Sequence, residues 1–560
     1  MRISSIPQIY RHLNRWREIL AVLSKYELAT WIGRLGPDFA KDLIKDRAGA
    51  PIARARWECR VRNAMAELGP TFIKLGQVLS TRPDLVGVSL ADELAHLQRE
   101  VPGDPPEAVR AVIEAELHSS LEQLFAEFEE QPIASASIGQ VHRARLHTGE
   151  AVAVKVQHAD IHHKIRVDLD ILSGLAQMAQ MIEEFQNYRP QAIVEEFRRT
   201  LRNELDFLRE LRNMQQFASH FHDDPTLRIP RTYPDYSTSR VLTMEFLEGI
   251  PVRELDRLDA SNVDRAKLAR AGAEIYMQMI FEHGFYHADP HPGNILVLDG
   301  EVFGLLDHGM VGRFDEALHD DFAEMLLAIA DQDPEHLSLL ITRIGATPPG
   351  LDRPSLTLDV ADFVAHYGSQ SLDRFDLSGA LNEMMELIRR YRIMLPARIA
   401  MLVKMLVTLE GTARMLQPAF SLVEIMIPYQ RRLVWRRWSP KRQYRKWRRL
   451  YGEVEYLLRH LPHNLGEIME QIQSGKFDVH LDHRGLEPSV NRLVLGMLAS
   501  ALFLGSSLLL AHEVPPVLNI PWLLLRNLSA LGVAGMVLSL TLGLRLWRAI
   551  SKSGHLDRRK

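Results

Sequence analysis

Four short segments, in fixed order along the chain, carry residue types suited to phosphoryl transfer from a nucleotide. Ala134-Ser135-Ala136-Ser137-Ile138-Gly139-Gln140-Val141 is a small-residue loop entering a strand, and Val152-Ala-Val-Lys155 lies within the next strand. His287-Ala-Asp289-Pro-His-Pro-Gly-Asn294 and Leu305-Leu-Asp307-His-Gly309 come later in the chain, with Asp289 and Asp307 18 residues apart. The reaction needs a strand lysine on the α/β-phosphates and a helix carboxylate to hold that lysine. It needs an aspartate that orients or deprotonates the attacking hydroxyl, an asparagine five residues on for one metal ion, and an aspartate before a glycine for a second. Lys155, Asp289, Asn294 and Asp307 fit four of these five roles, all but the helix carboxylate. Each segment alone is ordinary, since V-A-x-K recurs in strands of many proteins; the ordered set carries the weight.

Two further segments bear on the same chemistry. Glu204-Leu-Asp206-Phe-Leu-Arg-Glu210 falls on a helical pattern between the lysine and the aspartates, and Val241-Leu-Thr-Met-Glu245-Phe-Leu-Glu-Gly249 is similar to a kinase hinge, whose backbone meets adenine. An ordinary strand and turn is the equal alternative for the second. His287 and His291 with Asp289 also admit a metal-ligand reading, but no other His/Glu pair has zinc-ligand spacing.

The elements that must position these groups are legible from periodicity. Residues 1 to about 125 read as helices broken by Gly and Pro. Val141–Leu146 and Ala151–Gln157 read as two strands joined by a turn at His147–Glu150. Helical patterns come next over Ile161–Gln186 and Ala192–Ser219, then a strand at Arg240–Met244, and after Asp307 the chain is mostly helical to about residue 427.

At 560 residues the chain is long enough for several folded units, and 46 % hydrophobic with 25 % charged residues excludes a disordered or low-complexity protein. The single cysteine, Cys59, excludes an intramolecular disulfide and a thiol-built metal centre, and the chain reads as cytosol-facing. The net charge of −4 conceals segregation. Arg431–Leu450 holds ten Lys or Arg, three Trp and no acid, leaving −14 for the rest of the chain. Interleaved Trp and Arg suit a membrane interface with anionic headgroups; Arg- and aromatic-rich stretches also bind single-stranded nucleic acid. The C-terminal hydropathy pattern favours the membrane. Leu493–Ala511 is 19 residues without a charge and Leu528–Leu544 another 17, either side of a connection containing Pro515, Pro516 and Pro521. About 20 apolar residues cross a bilayer core. Basic residues flank the outer ends (Lys476, Arg484 and Arg492; Arg545, Arg548 and Lys552), so both ends are expected in the cytoplasm. The N-terminal stretch has an apolar run of only five residues, too short for a signal-peptide core.

These motifs resemble the UbiB/AarF/ADCK family of atypical protein-kinase-like ATPases over roughly residues 60 to 345. The most specific match is Lys74-Leu-Gly76-Gln77, a KxGQ motif that ordinary kinases lack. The resemblance implies that the Ala134–Gly139 loop replaces the glycine-rich loop, that Glu204 and Asp206 are the family's ExD pair, and that Glu210 pairs Lys155. It also implies that the KxGQ segment, with Lys74 and Gln77, lies over the active site with Lys74 near Glu204. Asp-His-Gly replaces Asp-Phe-Gly at Asp307, and no Ala-Pro-Glu comes after it, so a peptide-binding platform is not expected. The family's role is support of ubiquinone biosynthesis.

The expected architecture is α+β: a protein-kinase-like bilobal fold with added N-terminal helices and a C-terminal transmembrane hairpin. Its parts are a helical extension (1–125), an N-lobe (126–250), a C-lobe (251–427), a basic, aromatic juxtamembrane region (428–490), two membrane helices (493–546) and a basic tail (547–560). The expected activity is that of a bacterial inner-membrane, multi-pass, Mg²⁺- and ATP-dependent kinase or ATPase. Expected site residues are Asp289, Lys155, Glu210, Lys74 and Gln77 for catalysis, and Asn294 and Asp307 for metal. Residues Ala134 to Gly139, Val141, Lys155, Glu204, Asp206 and Glu245 are expected at the nucleotide. Expected partners are membrane lipids, polyprenyl quinone intermediates and the enzymes that process them; the oligomeric state, a dimer included, stays open. The competing readings are a nucleotide-binding scaffold, a small-molecule kinase sharing the His-x-Asp loop, and, least favoured, a nucleic-acid protein.

Overall fold

The protein is described by a computed structural model over residues 13–26, 28, 56–97, 102–182, 189–368, 370, 375–437, 486–512, 514–520 and 525–552. Two compact units divide the chain, Met1–Tyr444 and Arg445–Lys560.

The first unit begins with α1 (Leu13–Lys25), which buries Trp16, Ile19, Leu20 and Val22. Four helices carry the KxGQ segment: α2 (Trp57–Leu68), α3 (Pro70–Ser80), α4 (Pro83–Val86) and α5 (Val88–Ala95). Gly69, at φ 96, turns α2 into α3, and prolines at the starts of α3 and α4 preset the helical φ where no N–H is needed. Then come α6 (Pro106–Leu117) and α7 (Leu121–Leu124), which pack under the first sheet.

That sheet is antiparallel: β1 (Glu127–Phe128), β2 (Ala134–Ser135), β3 (Gly139–Arg145), β4 (Ala151–Gln157) and β6 (Val241–Glu245), ordered β1-β3-β4-β6 with β2 beside β3. Along β4 the side chains alternate between faces. Val152, Val154 and Val156 enter the core formed with Val109, Val112 and Ile113 of α6, which leaves Ala153 and Lys155 on the opposite face. Opposite that face run α8 (Ile161–Gln180), α9 (Pro190–Glu204) and α10 (Phe207–His220). The expected single helix over 192–219 is therefore two. Its apolar period runs through the break, but Asp206 leaves helical geometry and its carboxylate accepts the Leu208 N–H at 3.2 Å as the cap of α10. The helix expected to reach Gln186 ends at Gln180, and 183–188 lie outside the described residues.

The second lobe holds β5 (Leu227–Arg228), β7 (Ile250–Pro251), α11 (Leu255–Ala260), α12 (Arg265–Phe281), β8 (Phe285–His287), β9 (Ile295–Leu298), β10 (Val302–Leu305) and β11 (Val311–Arg313). Its sheets, β5-β10-β9-β7 and β11-β8, leave two loops, 288–294 and 306–310, side by side. Helices α13 (Glu316–Ala330), α14 (Pro334–Ile344), α15 (Arg353–Gly368), α16 (Leu377–Arg390), α17 (Ala397–Leu416) and α18 (Leu422–Arg437) complete the unit. The bilobal, kinase-like fold agrees with expectation, with helix continuing ten residues past 427. Of the basic, Trp-containing stretch, 438–450 lie outside the described residues.

The second unit is a helical hairpin of α19 (Leu486–Ala511) and α20 (Ala530–Lys552), joined by β12 (Val517–Ile520) and β13 (Leu525–Ser529). Leu528 and Ser529, expected within the second helix, belong to β13. Glycine allows the close approach: a Cβ on Gly535 would collide with Ser506 and one on Gly532 with Leu510. Ser539 Oγ donates to the Ala499 carbonyl at 2.9 Å across the pair. Spans of 19 residues in each helix are long and apolar enough to cross a membrane, and their outer faces expose Leu498, Phe503, Leu504, Leu508, Val537 and Leu538.

Candidate active site

Lys155 stands in the middle of β4, paired in register with Val141 on β3 and Leu242 on β6. Its ammonium reaches Glu210 of α10 at 2.9 Å and Asp307 at 3.6 Å. Glu210 is placed by the apolar stripe Phe207, Leu211, Met214 and Phe217, which buries one face of α10 and turns the glutamate toward β4. The His308 N–H donates to Glu210 at 3.2 Å, so strand, helix and Asp-His-Gly turn meet at one carboxylate. Burial disfavours the charge of Lys155, but Asp307 and Glu210 outweigh it and hold the pKa above the ordinary lysine value.

Asp307 sits at φ 34, a left-handed conformation rare for a residue with a side chain. Neighbours on both sides fix it. His287 Nδ1 faces the Asp289 N–H at 3.4 Å, and its Nε2 lies 2.8 Å from the Asp307 carbonyl, so Nε2 carries the proton and donates. The Gly309 N–H donates to Asp307 Oδ1 at 3.1 Å. Lys155, against the opposing effect of burial and with help from Lys74, holds the Asp307 carboxyl well below the usual carboxylate range. Asn294 Nδ2 donates to Asp289 Oδ2 at 2.8 Å, which leaves the Asn294 carbonyl oxygen as an acceptor. Asp307 and Asn294 thus offer hard oxygen donors. Mg²⁺ takes one or two such side chains and completes its shell with phosphate and water, so the donor set fits it.

The small-residue loop folds back along β3, with Ala134 opposite Val141, which is itself opposite Lys155. Gly139 is required, because a Cβ there would strike the Val156 carbonyl of β4. Ala136 N–H donates to the Gly139 carbonyl at 2.8 Å, and His158 ties the Ala136 and Ile138 carbonyls at 2.9 and 3.0 Å. Among the described residues the Ser137 and Ile138 amides meet no main-chain acceptor, which suits them to phosphate oxygens. Lys74, on α3, forms a 2.6 Å ion pair with Glu204, the last residue of α9. Burial works against the Lys74 charge, and Glu204 and then Asp307 more than offset it, so its pKa is raised.

Three expected site residues have other partners. Gln77 donates to the Leu97 carbonyl at 3.1 Å and fastens α3 to the end of α5. Asp206 caps α10 and lies 3.4 Å from Arg212. Glu245 accepts from Arg228 at 2.7 Å and from the Arg231 N–H at 3.0 Å. A metal site built on His287 and His291 is not found: among the described residues no three His, Cys, Asp or Glu side chains cluster for a metal. Sequence reasoning missed Thr412, whose hydroxyl donates to the Pro290 carbonyl at 2.9 Å, and Asn213, which donates to the His308 carbonyl at 2.9 Å.

His308 is fully buried, its ring 5.4 Å from Phe217 and 5.6 Å from His287, and neither ring nitrogen has a hydrogen-bond partner. It packs as an aromatic hydrocarbon would. Burial, with His287, pushes its pKa down to about 3. Unfolded histidine takes up a proton below about 6.5, so this contribution is complete above that pH and is lost as pH falls toward 3, reaching about 2 kcal/mol at pH 5. His308→Phe should therefore flatten the acid limb of the stability curve and stabilise by about 1 kcal/mol or more at neutral pH. Urea unfolding at pH 7 and pH 5, without metal, checks both.

Comparison with known proteins places the chain in a family. Residues 96–340 match the ABC1 atypical kinase-like domain, 360–421 the UbiB helical domain and 480–552 the ABC1/UbiB kinase-like C-terminal domain. An uncharacterized protein in the hydrogenase 1 5′ region of Clostridium pasteurianum is 30 % identical over 508 residues, 89 % of this chain and 93 % of its own length. The chloroplastic protein ACTIVITY OF BC1 COMPLEX KINASE 7 of Arabidopsis thaliana is 36 % identical over 67 % of this chain and 54 % of its own. Among solved structures, an Rv3197–erythromycin complex from Mycobacterium tuberculosis aligns with a TM-score of 0.46 at 23 % identity, over 63 % of this chain and 90 % of that one. The chain belongs to the ABC1/UbiB family of atypical kinase-like proteins.

Proposed function

We propose that the chain is a membrane-tethered, Mg²⁺- and ATP-dependent atypical kinase or ATPase that supports ubiquinone biosynthesis from the cytoplasmic face of a bacterial inner membrane. The observation that carries the reading is the convergence of Lys155, Glu210 and Asp307, with the Asp289–Asn294 pair on the neighbouring loop. In this reading Lys155, locked by Glu210, holds the nucleotide phosphates. Asp289 faces the acceptor and orients or takes the proton of its hydroxyl, or of water. Mg²⁺ on Asp307 and Asn294 would neutralise charge developing on the transferred group. The exposed apolar faces of α19 and α20 support anchoring in a bilayer, where polyprenyl quinone intermediates reside.

Deleting the gene should make an isoprenoid quinone precursor accumulate and the mature quinone fall, read by mass spectrometry of lipid extracts. Unchanged quinone levels would remove the pathway from the proposal. A second reading, a nucleotide-driven scaffold for quinone-pathway enzymes, draws on the absence after Asp307 of the Ala-Pro-Glu that accompanies a peptide platform in ordinary kinases. Restoration of quinone by Asp289→Asn, but not by a variant unable to bind nucleotide, would favour it.

A further inference from the structure

Helix α17 carries one lysine in an otherwise apolar run, Met401-Leu-Val-Lys404-Met-Leu-Val. Its side chain is only 20 % exposed, and the nearest carboxylate, the solvent-facing Asp92 of α5, stands 4.0 Å away, the outer edge of an ion pair. Burial lowers its pKa, opposed by Asp92 and Asp289. A lysine held this way costs stability unless something anionic meets it. Two turns further on, the Thr412 bond to the Pro290 carbonyl seats α17 against the loop that bears Asp289.

Arg253, just after β7, approaches the same loop, with Nη1 3.8 Å from where a Cβ on Gly293 would stand. Among the described residues it makes no ion pair. His291 completes the group: its Nδ1 accepts the Gly293 N–H at 3.1 Å, so the neutral ring carries its proton on Nε2, as a donor. Asp289, Arg253, His96 and Lys404 all lie within electrostatic reach of that ring. The cations near the site therefore form two groups. Lys155 and Lys74 pair with Glu210, Asp307 and Glu204 on the nucleotide side, whereas Arg253, His291 and the helix that bears Lys404 stand at the loop of Asp289.

We propose that Arg253, His291 and Lys404 form an anion subsite beside Asp289 that takes a phosphate or diphosphate group carried by the acceptor. The inference rests on the phosphotransfer reading, in which Asp289 faces the acceptor. An anion held there by two charged donors and one neutral donor places the acceptor's reacting oxygen by its phosphate end, leaving an apolar remainder unspecified. The terminal phosphate of the nucleotide has the same chemistry, and the experiment separates the two sources.

The full-length protein in nanodiscs, saturated with Mg²⁺ and a non-hydrolysable ATP analogue, is titrated with inorganic pyrophosphate by calorimetry. Wild type should bind it, Arg253→Gln and Lys404→Gln should each weaken binding about 10-fold, and Lys404→Arg should recover most of the loss. Affinity for the analogue, measured without pyrophosphate, should stay within about 2-fold in every variant. Thermal unfolding confirms that each variant is folded. The subsite is overturned if nucleotide-loaded wild type binds no pyrophosphate, or if the variants lose analogue affinity while pyrophosphate binding is unchanged. If wild type binds no nucleotide, the phosphotransfer reading has failed; pyrophosphate is then titrated alone, and equal affinity in wild type and variants overturns the subsite separately.

Discussion

Asp307→Asn should lower Mg²⁺-dependent ATP turnover by roughly 10³-fold while leaving the protein folded, because it removes the negative charge of a metal-holding carboxylate. The substitution is nearly isosteric. Asparagine tolerates the left-handed backbone at φ 34, and its side-chain oxygen can keep the bond from the Gly309 N–H. Lys155 retains Glu210 at 2.9 Å and Lys74 retains Glu204 at 2.6 Å, so neither buried ammonium is stranded. The carboxylate of wild type is ionised throughout the physiological range, held down by Lys155, and supplies its charge without a proton loss. Steady-state turnover in liposomes, beside circular dichroism of the same preparation, separates loss of chemistry from loss of fold.

Arg82→Ala should cost about 3–5 kcal/mol, the largest stability effect expected outside the apolar core. Arg82 and Asp84 form a 2.8 Å pair whose side chains are 6 % and 0 % exposed. The pair is also a latch: Arg82 Nη2 donates to the Leu395 carbonyl at 3.1 Å, and the Leu395 N–H donates back to Asp84 at 3.3 Å. Arg82 further reaches Glu196 of α9 at 3.5 Å. The helices bearing Lys74 are thereby fastened to both lobes. Removing the guanidinium leaves Asp84 charged and buried, so loss of order should concentrate in residues 70–95. Hydrogen exchange resolves that segment, and Arg82→Met with Asp84→Leu should recover most of the protection, since an apolar pair leaves no charge unmatched. Uniform exchange across the chain in Arg82→Ala would contradict the latch.

How much could be read in the sequence depends on the range of the interactions. Lys155 was legible because strand alternation puts three valines on one face of β4 and leaves the lysine on the other. Asp289, Asn294 and Asp307 were legible because they lie on two short loops with fixed internal spacing. The break at Leu205–Asp206 was not, since apolar residues continue at helical spacing through Leu201, Leu205, Leu208 and Leu211 and no acidic residue three positions after Asp206 completes a capping box. The separate directions of Glu204, toward Lys74, and Glu210, toward Lys155, depend on that break. Thr412, Lys404 and Arg253 reach the loop of Asp289 only through tertiary packing; a lone lysine in an apolar helix was the one local signal. Gln77 and Glu245 were named from motifs, and in the fold their side chains hold neighbouring backbone and arginines.

The most direct test of the central claim is equilibrium binding of a fluorescent ATP analogue to the full-length protein in liposomes, with Mg²⁺ and with the metal chelated. Saturable binding that weakens about 10-fold or more without Mg²⁺, and is abolished by Lys155→Met, is the predicted result. Absence of saturable binding, or binding indifferent to both the metal and Lys155, would contradict the account.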